Sequence, residues 1–114
     1  MEFKYGDTII TLHEPTNRRR ELSRQVSQKL ADQNLSPSGR SEFSALVAYT
    51  KSVSNGWQPP TPDAPKEELI AGLEYWLDHI QVDLTDQWMD AIFARNPDPV
   101  TRPQPLGDAA DPNS

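Results

Sequence analysis

The chain contains no cysteine, which excludes disulfides, thiolate metal sites and a cysteine nucleophile. Glycine is scarce, at 5 of 114 residues, and no Gly-rich phosphate loop is present. No serine lies in a Gly-x-Ser-x-Gly elbow. Histidine occurs twice, as His13 and His79. His79 and Asp83 have a spacing that a metal can use, but a tetrahedral site needs three or four protein ligands and no third lies nearby in the sequence. Glu74 and Asp78 share a helix face opposite the apolar one, which makes them a solvated stripe and not a general acid and base. The reading is of a protein that is not an enzyme and has no metal and no cofactor. No apolar run approaches the roughly 18 residues of a membrane span. Residues 1–7 hold no signal-peptide apolar region. A soluble cytoplasmic protein without a membrane partner is expected.

What is present is charge, unevenly placed. Residues 1–58 carry 8 basic and 6 acidic side chains, and residues 59–114 carry 3 and 11, so balances of +2 and −8 sum to the net charge of −6. Arg18, Arg19, Arg20 and Arg24 cluster near the start of the first helical segment. Such polarity steers protein partners. It argues against nucleic acid, because the acidic half repels phosphate. The length suits one small domain. Five of the 11 prolines fall in residues 96–114, where Leu106 is the one large apolar side chain beyond Val100. That composition does not offset the entropy of ordering. The expected organisation is a single domain over residues 1–96, a hairpin plus helices, followed by a disordered, Pro-rich acidic tail over residues 97–114.

Residues 1–13 predict a β-hairpin with a type II′ turn at Gly6-Asp7. This register opposes Tyr5 to Thr8, Phe3 to Ile10 and Met1 to Leu12, all on one face. A first helix is expected over 17–33, capped by Thr16 or Asn17, with the narrow apolar stripe Leu22, Val26 and Leu30. So narrow a stripe buries little against its own domain and is open to a partner. Ser36 followed by Pro37 predicts the start of a second helix over 37–55. Phe43, Leu46, Val47, Thr50 and Val53 mark its face, and Gly56 is placed to end it in a left-handed conformation. Residues 58–65 hold four prolines and form a stiff connector. Asp63 is expected to cap a third helix with Leu69, Leu73, Trp76, Leu77 and Ile80 on its apolar face. Asp83 is expected to cap a fourth with Leu84, Trp88, Met89, Ile92 and Phe93. The fold class is thus α+β, mainly α: an N-terminal hairpin, about four helices and a C-terminal tail. The expected core draws on Phe3, Ile10, Leu12, Phe43, Leu46, Val47, Leu69, Leu73, Trp76, Leu77, Ile80, Trp88, Ile92 and Phe93.

Trp76 and Trp88 lie on apolar faces and read as core. Trp57, beside Gly56 and the prolines, reads equally as a helix-end staple or an interface anchor. The candidate protein-interaction residues are Arg18, Arg19, Leu22, Val26, Leu30 and Trp57. Self-association is expected. A hairpin leaves unpaired edges, Ile9 adds apolar surface outside the core face, and the arginine cluster complements the acidic half.

Residues 9–16, Ile-Ile-Thr-Leu-His-Glu-Pro-Thr, run from a strand into the charged helix that begins near Arg18. This opening resembles that of the tail assembly chaperones of long-tailed bacteriophages. They commonly begin with a strand of the form Thr-x-Leu-x-Glu-Pro-Thr leading into a helix. The resemblance in order of elements, size and tail extends over residues 9–95. It implies a non-catalytic, mainly helical protein in the host cytoplasm. Such a protein coats the helical tape-measure protein and helps recruit tail-tube subunits. The alternative is a small acidic regulatory or inhibitor protein that binds one folded target.

Overall fold

The computed structural model describes residues 2–95. The order is β1 (Glu2–Tyr5), β2 (Thr8–Leu12), α1 (Asn17–Lys29), α2 (Pro37–Tyr49), β3 (Thr50–Ser54), α3 (Lys66–His79) and α4 (Val82–Arg95). The fold is α+β, mainly α: a three-stranded antiparallel sheet in the order β1-β2-β3, and four helices. The region expected to form a tail, residues 97–114, lies outside the described residues, as does Met1.

The hairpin has the expected register, with Phe3 opposite Ile10 and Tyr5 opposite Thr8. Gly6 has φ 60° while Asp7 stays out of the left-handed region, the combination a type II′ turn requires. The third strand was not expected. Residues 50–54 leave the helix at Tyr49 and pair with β2, so the outer edge of β2 is taken and the second helix is shorter than 37–55. Ile10 opposes Val53 and Leu12 opposes Thr50, with a register shift between Thr11 and Leu12. Lys51 is the extra residue of this bulge. A strand places alternate residues on one face, so Thr50 and Val53, three apart, should face opposite ways. The bulge turns both toward the core. Their spacing imitates the helical period, which explains the over-long helix. β3 ends at Ser54, and the next residue, Asn55, takes the left-handed conformation at φ 59° expected of Gly56. Gly56 serves instead to leave room: a Cβ there would sit 2.9 Å from Thr8 Cγ2.

The helix starts follow local chemistry. Thr16 Oγ1 accepts from the Arg19 amide at 3.3 Å, and Ser36 Oγ accepts from the Gly39 amide at 3.1 Å ahead of Pro37. α1 stops at Lys29, short of Gln33. Asp63 does not cap α3. The N-cap is Pro65, with no side-chain bond. A residue before proline is pushed out of helical geometry, so Ala64 cannot follow an Asp63 cap into a helix. Glu67 and Glu68 still occupy the first turn, where they favour the positive end of the helix dipole. Asp83 is likewise no cap. α4 begins at Val82, and the Gln81 carbonyl accepts from the Thr85 amide.

The core centres on residues from every layer: Ile10 and Leu12 from β2, Val26 from α1 with Leu30 at its C-cap, Phe43, Leu46 and Val47 from α2, Leu69, Leu73 and Trp76 from α3, and Trp88 and Ile92 from α4. Phe3 and Ile80 pack partly buried against it. Two expected core residues are outside: Leu77 is 51% and Phe93 54% exposed. The stripe of α1 is not open to a partner, because α1 packs along α2 and both Val26 and Leu30 are fully buried. Lys66 Nζ reaches Asp32 Oδ2 at 2.7 Å, joining the start of α3 to the α1–α2 connection. The proline connector is ordered against α3, with Pro59 and Ala64 buried. A Cβ on Gly72 would meet Pro60 Cδ at 2.7 Å.

Two stability outcomes follow from this packing. Trp88 Nε1 donates to Thr50 Oγ1 at 3.0 Å in the interior. Thr50→Val keeps the shape, removes the acceptor and is expected to cost about 1–3 kcal/mol in denaturant unfolding, with Thr50→Ser retaining most of the stability. Gly72→Ala is expected to cost about 1–3 kcal/mol by forcing the rigid Pro60 ring off α3. An unchanged melting temperature for Gly72→Ala would show that the connector is not seated there.

Candidate protein-binding surface

Among the described residues, exposed Leu77 and Val82 flank the α3–α4 corner, with Tyr75 further back on α3 and Phe93 near the far end of α4. Ile80 caps α3 in an extended conformation, and only Gln81 separates it from α4. The corner is fixed from inside by Trp76 Nε1, which donates to Thr85 Oγ1 at 3.0 Å. It is fixed from the sheet by Tyr5. The phenol oxygen lies 3.2 Å from Gln81 Oε1 and 3.1 Å from Asp83 Oδ2, so one proton is shared between two acceptors. The hydrogen bond to Asp83, with partial desolvation and the carboxylate charge, raises the phenol above its ordinary value.

With the corner held, a groove of about 190 Å³ opens between α2, α3 and α4. Glu42, Trp76, Leu77, Ile80, Val82, Thr85 and Asp86 line it. Val82, in the first turn of α4, is 75% exposed. At about 100° per residue, Val82, Met89 and Phe93 fall on one side of α4 and form a strip about 16 Å long that starts at the groove. Met89 is half-buried and Phe93 exposed. Asp83, Asp86 and Asp90, all exposed, line the solvent side of this strip. The result is an apolar floor with a carboxylate border.

The six residues selected from the sequence do not form one surface. Arg18 is exposed on α1. Arg19 is half-buried, and its Nη1 donates to the Ala48 carbonyl at 3.3 Å, near the negative end of α2. It is a strut between α1 and α2. Leu22 is half-buried, while Val26 and Leu30 are inside the core. Trp57 does not staple the end of α2, which stops at Tyr49: its half-buried ring stacks on Tyr75 of α3 at 5.7 Å and stands edge-to-face with Trp88 of α4 at 6.3 Å. Tyr75, 45% exposed, also contacts His79 at 4.7 Å. Sequence reasoning missed Leu77, Val82 and Phe93 as surface. The available signal was the width of the apolar arc. On α4, Leu84, Trp88, Ile92, Met89, Phe93 and Val82 span about half the circumference, more than one contact face fills.

Among the described residues no group of three His, Asp or Glu side chains is placed to hold a metal ion, and no helix is long and apolar enough to cross a membrane. Glu74, Asp78 and His79 are exposed on α3.

His13 sits where β2 leaves the sheet, its amide donating to the Tyr49 carbonyl at 2.8 Å. Desolvation, then the charges of Arg19 and Lys51, lowers its pKa from the ordinary 6.5. The unfolded chain therefore takes up the proton first, and stability falls as pH drops through about 6.5 toward the folded value. His13→Gln is expected to flatten that part of the stability–pH curve relative to the parent, measured by urea unfolding between about pH 7 and 5. Parallel curves for the two would show that His13 is equally solvated in both states.

No family model matches this chain, and no curated protein or solved structure is found to be similar to it.

Proposed function

We propose that this chain is a non-catalytic assembly chaperone of the long-tailed phage type, which masks the helical tape-measure protein and helps recruit tail-tube subunits. The observation that carries this reading is the exposure of Leu77, Val82 and Phe93, which with Tyr75 are the large apolar side chains left exposed among the described residues. A protein that shields helices before assembly needs an apolar groove, a soluble exterior and reversible contacts. The residues that carry the sequence resemblance form β2, the Glu14-Pro15-Thr16 passage and the capped start of α1. Self-association belongs to the same proposal. Exposed Arg18, Arg20 and Arg24 on α1 complement the acidic outer side of α4, a heterologous contact that propagates from copy to copy.

The alternative, an acidic inhibitor of one folded target, draws on the row Asp83, Asp86 and Asp90. Co-expression with tape-measure and tail-tube proteins separates the two. The chaperone reading expects a soluble complex containing several copies of this chain, with light scattering that falls as salt is raised past about 0.5 M. A strict monomer that stays apart from both tail proteins, or that forms a one-to-one pair with a single folded enzyme, replaces it with the inhibitor.

A further inference from the structure

We infer that the α3–α4 groove takes a foreign amphipathic helix with Lys or Arg beside its apolar face, and not a second copy of this chain. The inference rests on the reading of this strip as the binding surface, and adds the chemical class of its occupant.

Charge decides between the occupants. Residues 59–95 carry 8 acidic and 2 basic side chains. Glu42 stands on one wall of the groove and Asp86 on the other, with Asp90 further along α4. An apolar helix laid on Val82, Met89 and Phe93 brings its flanks next to these carboxylates. Basic flanks are attracted, and acidic flanks are repelled within a Debye length.

A second copy is a poor occupant in either orientation. A two-fold contact through the same strip with the α4 helices antiparallel sets the aspartate row of one copy against that of the other, and with the helices parallel it turns each row toward the Glu42 side of the other copy, so like charges meet either way. The basic α1 of a second copy has the right charge but no free apolar face, since Val26 and Leu30 are fully buried. Contacts between copies through the arginines are therefore ionic and lie outside the groove floor. The length also fits a helix: from Val82 to Phe93 is about 16 Å, or three turns. Aliphatic residues at i, i+4, i+7 and i+11 match that stripe.

The test uses the full chain and two synthetic helical peptides with leucine at those positions. One is flanked by lysine and the other by glutamate. Binding is measured by calorimetry at low salt and near 0.5 M. The lysine peptide is expected to bind, and the glutamate peptide to bind at least about tenfold more weakly, the change equivalent to 1.4 kcal/mol. Val82→Ser with Phe93→Ser is expected to weaken the lysine peptide about tenfold while leaving the melting temperature unchanged. Asp86→Asn with Asp90→Asn should narrow the gap between the two peptides. No binding, equal binding of both peptides, or binding that ignores Val82→Ser with Phe93→Ser overturns the inference. So does light scattering in which that double variant dissolves an oligomer of the chain, because the occupant is then a second copy. The chaperone reading fails separately. If the peptides bind but no tail protein does, the groove stands and the biological role falls. If the double variant still holds tail proteins while the peptides fail, the role stands and the groove falls.

Discussion

The structure depends on satisfying one buried polar atom. Trp88 is 1% exposed, and its indole N–H has to find an acceptor inside the core. Thr50 provides it, but only because the bulge at Lys51 turns Thr50 to the inner face of the sheet. That bulge fixes where α2 stops and how β3 lies on β2. Phe3 from the hairpin and Trp57, just beyond β3, then stand edge-to-face with the same ring, with centroids 6.5 and 6.3 Å apart. Strand register, helix length and aromatic packing are in this way consequences of one donor and one acceptor.

A second buried indole does the same for the surface. Trp76 reaches Thr85 across the α3–α4 corner, so the two helices hold a fixed relation at the place where Leu77 and Val82 emerge. The exposed apolar residues are therefore presented by a stiff corner and not by a mobile loop. A preformed strip loses little entropy when a partner docks. The charged residues divide in a related way. Arg19 is committed internally to the end of α2, while Arg18, Arg20 and Arg24 remain exposed on α1.

Much of the fold was legible because local signals agreed with one another. Gly6-Asp7 and the alternation around it gave the hairpin register, and Thr16 and Ser36-Pro37 gave two helix starts. β3 was hidden because its bulge places Thr50 and Val53 at a spacing that a helix also uses. Caps at Asp63 and Asp83 were plausible by residue type. They lost to Pro65, which forbids helix at Ala64, and to a helix start at Val82. The surface was less legible than the fold. A wide apolar arc does not say which margin is covered, and α2, not a partner, closed the Leu22, Val26 and Leu30 stripe. Leu77 and Phe93 occupy the opposite case, apolar by pattern and left outside by the packing of their neighbours.

The bridge from Tyr5 to Gln81 and Asp83 joins the first strand to the last helix across separations of 76 and 78 positions. Phe3 on Trp88 does so again. Contacts this remote in sequence slow folding, because a long loop must close before they form. They also matter during synthesis, which delivers the chain from its N-terminus. The hairpin is made first and is marginal alone. Phe3 stays without Trp88, and Tyr5 without Asp83, until α4 has been made. Translation thus delivers Phe3 and Tyr5 well before the α4 side chains they touch, and these two contacts complete the packing of β1 late.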